Sequence, residues 1–383
     1  RGLVGELVQP IIVHKANDEI FRIVTILSLV IFTVLSAIYL WSAFEIGRGG
    51  IRRKTPVLSI ACALVFVSSP FVVLSAHLVG YLDHLVVIAT FACIVLVGRG
   101  RLLAAGLSSA VTLLVHEMHA LAGFPVIVFA AWLKLRGGDR PDAPSPVPAI
   151  AKLLVPVASV AVVIVFSSLT QSQESVDALR AQMSEARVIS PRWVEMSTYH
   201  LDHGFAENFR SQSAMGLERL LDPVTLRSTA PSALFLLLAT SLLLRLQGWG
   251  RFSPLYVAAT LSPLLMHWVA WDRSRISTLV VFNAFAGLFA SHLLAPQRAS
   301  GEPTSRFVRT AIAAAAAGTM IASFHLPVML MGGEIDGKGL FELRSAPVPE
   351  DPPVERRRML SPDVSMSPPD TGVARRRHAR EFA

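Results

Sequence analysis

Ten stretches of this chain keep Asp, Glu, Lys and Arg out of their interiors over 15 to 25 residues: 22–44, 55–79, 84–98, 102–118, 120–134, 150–170, 230–246, 252–270, 276–295 and 308–331. No other feature restricts the fold as strongly. A bilayer core about 30 Å thick is crossed by about 20 apolar residues in a helix, and by fewer where neighbours or local thinning help. Backbone in lipid must satisfy its own hydrogen bonds, so spans are helices or closed barrels. These runs do not alternate apolar and polar residues, which argues against barrel strands. The predicted fold is therefore all-α: a polytopic transmembrane helix bundle of about ten spans. Composition agrees. The chain is 52% hydrophobic and 16% charged, with a mean hydropathy of +0.53, whereas soluble domains carry about a quarter charged residues.

Basic residues in short loops set the orientation of such a bundle. Arg48, Arg52, Arg53 and Lys54 follow the first run, and Arg99 and Arg101 the third. Lys134, Arg136 and Arg140 follow the fifth, Arg245 and Arg251 the seventh, and Arg298, Arg306 and Arg309 the ninth. Every second loop is basic and is assigned to the cytoplasm. The alternation holds only if 102–134 crosses twice, so that stretch is predicted to be a hairpin. Trp41, Trp132 and Trp249 then fall near inner ends, with Trp268 and Trp271 near an outer one, as interfacial rings do. Cys62 and Cys93 lie inside apolar runs and read as small core residues. Lys is sparse beside Arg, which suggests a bacterial source and, with the spans, a multi-pass inner-membrane protein. Residues 1–20 are mixed and polar without a signal-peptide pattern. The opening on Arg1 is expected to be that of a segment of a longer protein.

The domain reading is a bundle over 1–345 with an extracytoplasmic loop at 171–229, followed by a Pro/Arg-rich disordered tail over 346–383. Within the loop, Val176, Leu179, Met183 and Ala186 recur at helical spacing, and a second helix is expected around Phe205, Phe209, Met215, Leu217 and Leu221. The run Ala311 to Ala317 reads as a close-packing helix face. Membrane lipid is an expected partner and nucleic acid is not.

Under this topology the ionisable groups gather at the outer ends: Asp83, His84, His116, Glu117, His119, His200, Asp202, His203, Asp272, Arg273 and Arg275. Ionisable groups near membrane depth are costly, which makes them candidates for function. Several ordinary readings compete. Asp83 opens a helix and can be a plain N-cap, as can Asp272, which can also pair with Arg275 at i, i+3. His116 and His119, three apart, would share a helix face and could hold a divalent metal, or could be interfacial imidazoles. The pattern is not His-Glu-x-x-His, so the zinc-protease signature does not apply.

Gly80-Tyr81-Leu82-Asp83, His116-Glu117 ahead of Phe124-Pro125, and Trp271-Asp272-x-x-Arg275, in that order, resemble bacterial polytopic proteins of surface-polysaccharide assembly. These are the O-antigen or exopolysaccharide polymerases (EpsG-like) and the GT-C-type glycosyltransferases. The resemblance implies a lipid-phosphate or lipid-diphosphate sugar donor used on the outer face. It implies Asp83 as base, with Arg273 and Arg275 on the lipid phosphate. The catalytic candidates are then Asp83, Glu117 and Asp272, with His84, His116, His119, Arg273 and Arg275 binding substrate. A paired acidic motif in a long first outer loop, common in GT-C enzymes, is missing. Two alternatives stand beside this: a metal-dependent hydrolase built on His116 and His119, and a non-catalytic transporter or scaffold.

Overall fold

Each of the ten uncharged runs is helical over most of its length in the computed structural model, which describes residues 17–52, 55–77, 82–136, 145–169, 177–178, 180–181, 209–210, 213–268, 273–294, 305–325, 328–330 and 333–335. All of these belong to one compact unit, residues 1–340. The tail expected over 346–383 and most of 171–229 lie outside the described residues. The helices are α1 (Asn17–Arg52), α2 (Pro56–Val67), α3 (Pro70–His77), α4 (Asp83–Gly98), α5 (Leu102–Val115), α6 (Phe124–Arg136) and α7 (Val147–Leu169). After them come α8 (Gly216–Leu220), α9 (Pro223–Leu246), α10 (Ser253–Leu261), α11 (Arg273–Leu294) and α12 (Arg306–His325). Short 3₁₀ turns occupy Glu117–Ala120, Gly250–Phe252 and Ser262–Trp268.

The helices settle the solvent of the bundle. Six segments are long and apolar enough to cross a membrane: Ile26–Arg52, Pro56–Ser75, Glu117–Arg136, Val147–Val165, Thr225–Leu246 and Arg275–Leu294. The apolar helices α4 and α5 are shorter. Ile26, Leu29, Phe44, Val155, Val162, Leu234 and Leu238 all turn outward and are more than half exposed. Water would penalise such a surface and lipid does not. This is a membrane-embedded helical bundle.

At its centre is α11, whose most apolar window is 94% buried, against 22% for α1 and 11% for α7. Phe282, Phe285 and Phe289 project from it at i, i+3 and i+7, between the small residues Ala284, Ala286 and Ala290. Phe66 of α2 stacks on Phe285 at 3.6 Å with the planes 3° apart. Phe71 of α3 lies 5.3 Å from Phe282, and Phe91 of α4 lies 5.2 Å from Phe289. Small residues beside large ones let surrounding helices close on α11, which is how helices associate in lipid. Cys62 and Cys93 are buried free thiols of this core, as expected.

The stretch 102–134 is two helices, α5 and α6, parted by the Glu117–Ala120 turn, and α5 packs against α4 and α7. Gly100 (φ 75°) sits in the left-handed region after α4. Its N–H donates to Val97 O, and the Arg101 N–H donates to Leu96 O. This paired bonding pattern caps the helix and reverses the chain within two residues.

Other boundaries differ from the expectations. The run 55–79 is broken at Ser68-Ser69, because Pro70 has no N–H and begins a new helix as its first residue. The Ser69 N–H donates to Phe66 O at 3.0 Å, and the Ser68 hydroxyl joins its own N–H on Leu64 O at 3.0 Å. The run 308–331 ends its helix at His325. Val328–Leu330 and Gly333–Ile335 then form a two-stranded antiparallel ladder in which Met329 faces Glu334. The long loop ends at Asp222 and not at 229. That carboxylate accepts from Thr225 N at 3.0 Å and caps α9, with Pro223 in its first turn. In α8 the apolar Leu217 is 59% exposed, and Gly216 and Arg219 are the buried residues. Trp249 is only 3% exposed and packs on Phe252, so it is a core ring and not an interfacial one. Of Ala311 to Ala317 only Ala316 is buried, so most of that face is uncovered.

Candidate functional site

Asp83, His116 and Arg275 come from three connections and meet at one end of the bundle. Arg275 lies in the first turn of α11, where a cation opposes the helix dipole. Asp83 answers that charge from the first turn of α4. Arg275 Nε donates to Asp83 Oδ2, and Arg275 Nη2 donates to Oδ1 at 2.6 Å. This is the parallel two-bond pairing that suits a guanidinium and a carboxylate. His116 Nε2 lies 3.1 Å from Asp83 Oδ1 and 3.0 Å from Arg275 Nη2. The side chain of Asp83 is 9% exposed, and those of Arg275 and His116 are 17% exposed. Asp83 is therefore not a plain N-cap: α4 has no side-chain cap bond, and the carboxylate goes to Arg275 and His116.

His116 reaches this position because α5 stops one residue earlier. Its backbone is extended (φ −153°, ψ 117°), and its Nδ1 accepts from Met118 N at 3.3 Å, capping the 3₁₀ turn. Acceptance at Nδ1 places the proton of the neutral ring on Nε2, where it points at Asp83 and not at the Arg275 donor. In the charged ring Nδ1–H instead faces Glu117 Oε2, 3.5 Å away. His116 therefore has two coherent proton states. Burial opposes the charged one, but hydrogen bonds to Asp83 and Glu117, with the charges of those carboxylates, outweigh it and push His116 up to about 9.

A pH dependence follows. The folded-state value lies above the ordinary 6.5, so the stabilisation is complete below pH 6.5 and is lost as pH rises through about 9. Unfolding free energy in detergent is expected to fall by about 3 kcal/mol between pH 6 and 10. His116→Gln should flatten that fall. The same slope in both proteins would show that His116 does not carry it.

The turn beyond His116 is held by the central helix. Gly123 N–H donates to Asn283 Oδ1 at 3.1 Å, and Asn283 Nδ2 donates to Ala259 O at 2.8 Å. Ser262 Oγ donates to Leu121 O at 2.7 Å. One buried amide thus ties the 121–123 turn to the break between α10 and the following 3₁₀ turn. Sequence reasoning counted only charged residues inside the runs and passed over Asn283. A lone Asn in the middle of an uncharged run was the available signal. Arg219 was passed over too. It is 4% exposed and donates to His267 O at 3.3 Å.

The remaining candidates are dispersed. Glu117 adjoins His116, but its side chain is 80% exposed. His84 bonds Ser75 O at 2.9 Å, tying α4 to α3, and lines the small cavity beside Asp83 and Arg275. His119 is buried, 6.2 Å from the Phe124 ring, and neither ring nitrogen has a hydrogen-bond partner among the described residues. Because His116 is extended and His119 turns inward from a 3₁₀ turn, the two do not form the shared helix face expected of a metal pair. Among the described residues no three His, Cys, Asp or Glu side chains are grouped to hold a metal ion. Asp272, the side chain of Arg273, and His200, Asp202 and His203 lie outside the described residues.

Comparison with known proteins finds no matching family model, curated protein or solved structure.

Beside Asp83, His84, Arg275 and Thr278 lies a cavity of about 10 Å³, walled by Phe71, Leu74 and Leu279. That holds about one water. In this conformation the guanidinium fork is filled by the carboxylate of the same chain. A phosphate presents the same two-oxygen edge, so it is the natural competitor for Arg275.

Proposed function

We propose that the protein is a membrane glycosyltransferase or polysaccharide polymerase that takes its sugar from a polyprenyl-phosphate or polyprenyl-diphosphate carrier at the extracytoplasmic face of a bacterial inner membrane. The observation that carries this reading is the buried Asp83–Arg275 pair with His116 against it, at the end of the bundle away from the basic turns. The donor phosphate displaces Asp83 from Arg275. Asp83 then keeps its bond to His116 and has an oxygen free. It accepts the proton of the acceptor hydroxyl as that oxygen bonds to the anomeric carbon. The bond from that carbon to the phosphate oxygen breaks, and the phosphate leaves with the electron pair, held by Arg275. Glu117, Asp272 and Arg273 are proposed contributors at the mouth.

The test is transfer of labelled sugar from the lipid carriers of the producing cells by purified protein in proteoliposomes. Arg275→Lys keeps the charge and loses the two-donor fork. It is expected to lower transfer by about 10²-fold or more, and Asp83→Asn to abolish it while the protein still inserts. Transfer at wild-type rate in both variants would end this proposal.

A further inference from the structure

We propose that a groove at the far end of α4 binds an anionic phospholipid of the surrounding membrane. The 16 residues of α4 carry the chain about 24 Å from Asp83, so this groove is separate from the site above, and the proposal does not rest on the function assigned there. The groove measures about 680 Å³. Arg101 at the α4–α5 turn, Lys134 in the last turn of α6 and Lys152 near the start of α7 supply its cations. Val97, Leu102, Leu103 and Leu135 supply an apolar wall, and Leu103 is 52% exposed.

Three observations favour this occupant. First, all three cations are exposed, and none pairs with a carboxylate of the described residues. Three like charges around one concavity repel one another unless an anion sits among them. Second, α5 and α7 both begin here and neither has an acidic residue in its first turn, so their N–H groups add to the positive field. Third, cations and aliphatic wall adjoin in a membrane-embedded chain. That combination fits a phosphodiester headgroup with an acyl chain beside it, as in basic pockets between membrane helices. A free phosphate would use the cations and leave Leu103 uncovered.

The experiment is native mass spectrometry of the purified full chain released from bilayers of equal phosphatidylglycerol and phosphatidylcholine. Wild-type protein is expected to retain phosphatidylglycerol over phosphatidylcholine by about tenfold or more, from roughly 1 kcal/mol per basic residue. The preference should weaken as salt is raised. The triple variant Arg101→Gln, Lys134→Gln, Lys152→Gln is expected to lose it. A control triple variant outside the groove, Arg52→Gln, Arg306→Gln, Arg309→Gln, is expected to keep it. Equal retention of the two lipids by wild type, or an equal preference in both triple variants, would overturn the proposal. Displacement of the lipid by millimolar inorganic phosphate would also overturn it, by showing a small-anion site. All six positions carry long basic side chains at helix ends, and the wild-type salt series decides the question even if a variant folds poorly.

Discussion

Arg275→Met is expected to destabilise the protein by about 3–5 kcal/mol, the penalty for stripping one partner from a buried ion pair. The charge left behind is Asp83, which is 9% exposed and would retain only His116. Asp83→Leu should cost a similar amount, because it takes the two-bond carboxylate away from Arg275 in the first turn of α11, where the helix dipole already disfavours a cation. The double variant Asp83→Leu, Arg275→Met removes both charges and should recover most of the loss. Buried pairs replaced together by apolar residues are often neutral or better. Unfolding free energies of the four proteins in detergent give the coupling directly. Additive losses in the double variant would mean that the two side chains act separately. The same double variant also separates structure from chemistry. If Asp83 and Arg275 only lock α4 to α11, it should behave as wild type in the transfer assay. The proposed mechanism requires that it fold and make no product.

Gly123→Ala is expected to destabilise the protein by about 3 kcal/mol. Gly123 has φ 102°, in the region L side chains rarely adopt; occupying it costs a non-glycine residue roughly 1–2 kcal/mol. The new methyl would also collide with Thr90 Oγ1 and come within 3.2 Å of His119 Nδ1, and overpacking a close-packed interior typically costs about 1–3 kcal/mol. Two effects are therefore stacked, and they can be separated. Thr90→Ala in the same chain removes the collision and leaves the backbone strain, so it should restore about half of the loss. Thr90 itself contributes little else, since its hydroxyl only returns to Val86 O of its own helix at 2.7 Å. Full recovery would mean that the backbone conformation costs nothing. No recovery would place the whole effect on the backbone. Because Gly123 N–H is held by Asn283, the turn displaced by this change leads back through the 3₁₀ turn to His116. Sugar transfer should drop further than stability alone explains.

The sequence read as it did because most of the fold is a solvent effect. Charged side chains are excluded from hydrocarbon, so each of the ten uncharged runs falls on helix, with ends that differ by up to eight residues, and the basic turn at Arg99 to Arg101 marks a real reversal. The errors cluster where backbone hydrogen bonding overrules hydropathy. Ser68-Ser69-Pro70 breaks a run whose residues are apolar on both sides. Asp222 and Pro223 start α9 ahead of its apolar stretch. His116 leaves the helix that its neighbours seem to continue. Trp249 went into the core because a tryptophan in the turn after a run carries no mark of which way it points.

The chain alone determined that this protein lives in a bilayer, that it is helical, and roughly where each helix lies, because transfer of side chains into lipid is a local property of each run. It also supplied the short set of polar residues from which a site would be made. Only tertiary packing decided which of them meet. Asp83 and Arg275 are 192 positions apart, and on paper a helix N-terminus was a satisfactory partner for the carboxylate. The distant pairing follows from α11 being the buried centre of the bundle. A guanidinium at the head of a buried helix has little water to turn to, so the carboxylate that packing brings beside it becomes its counter-ion.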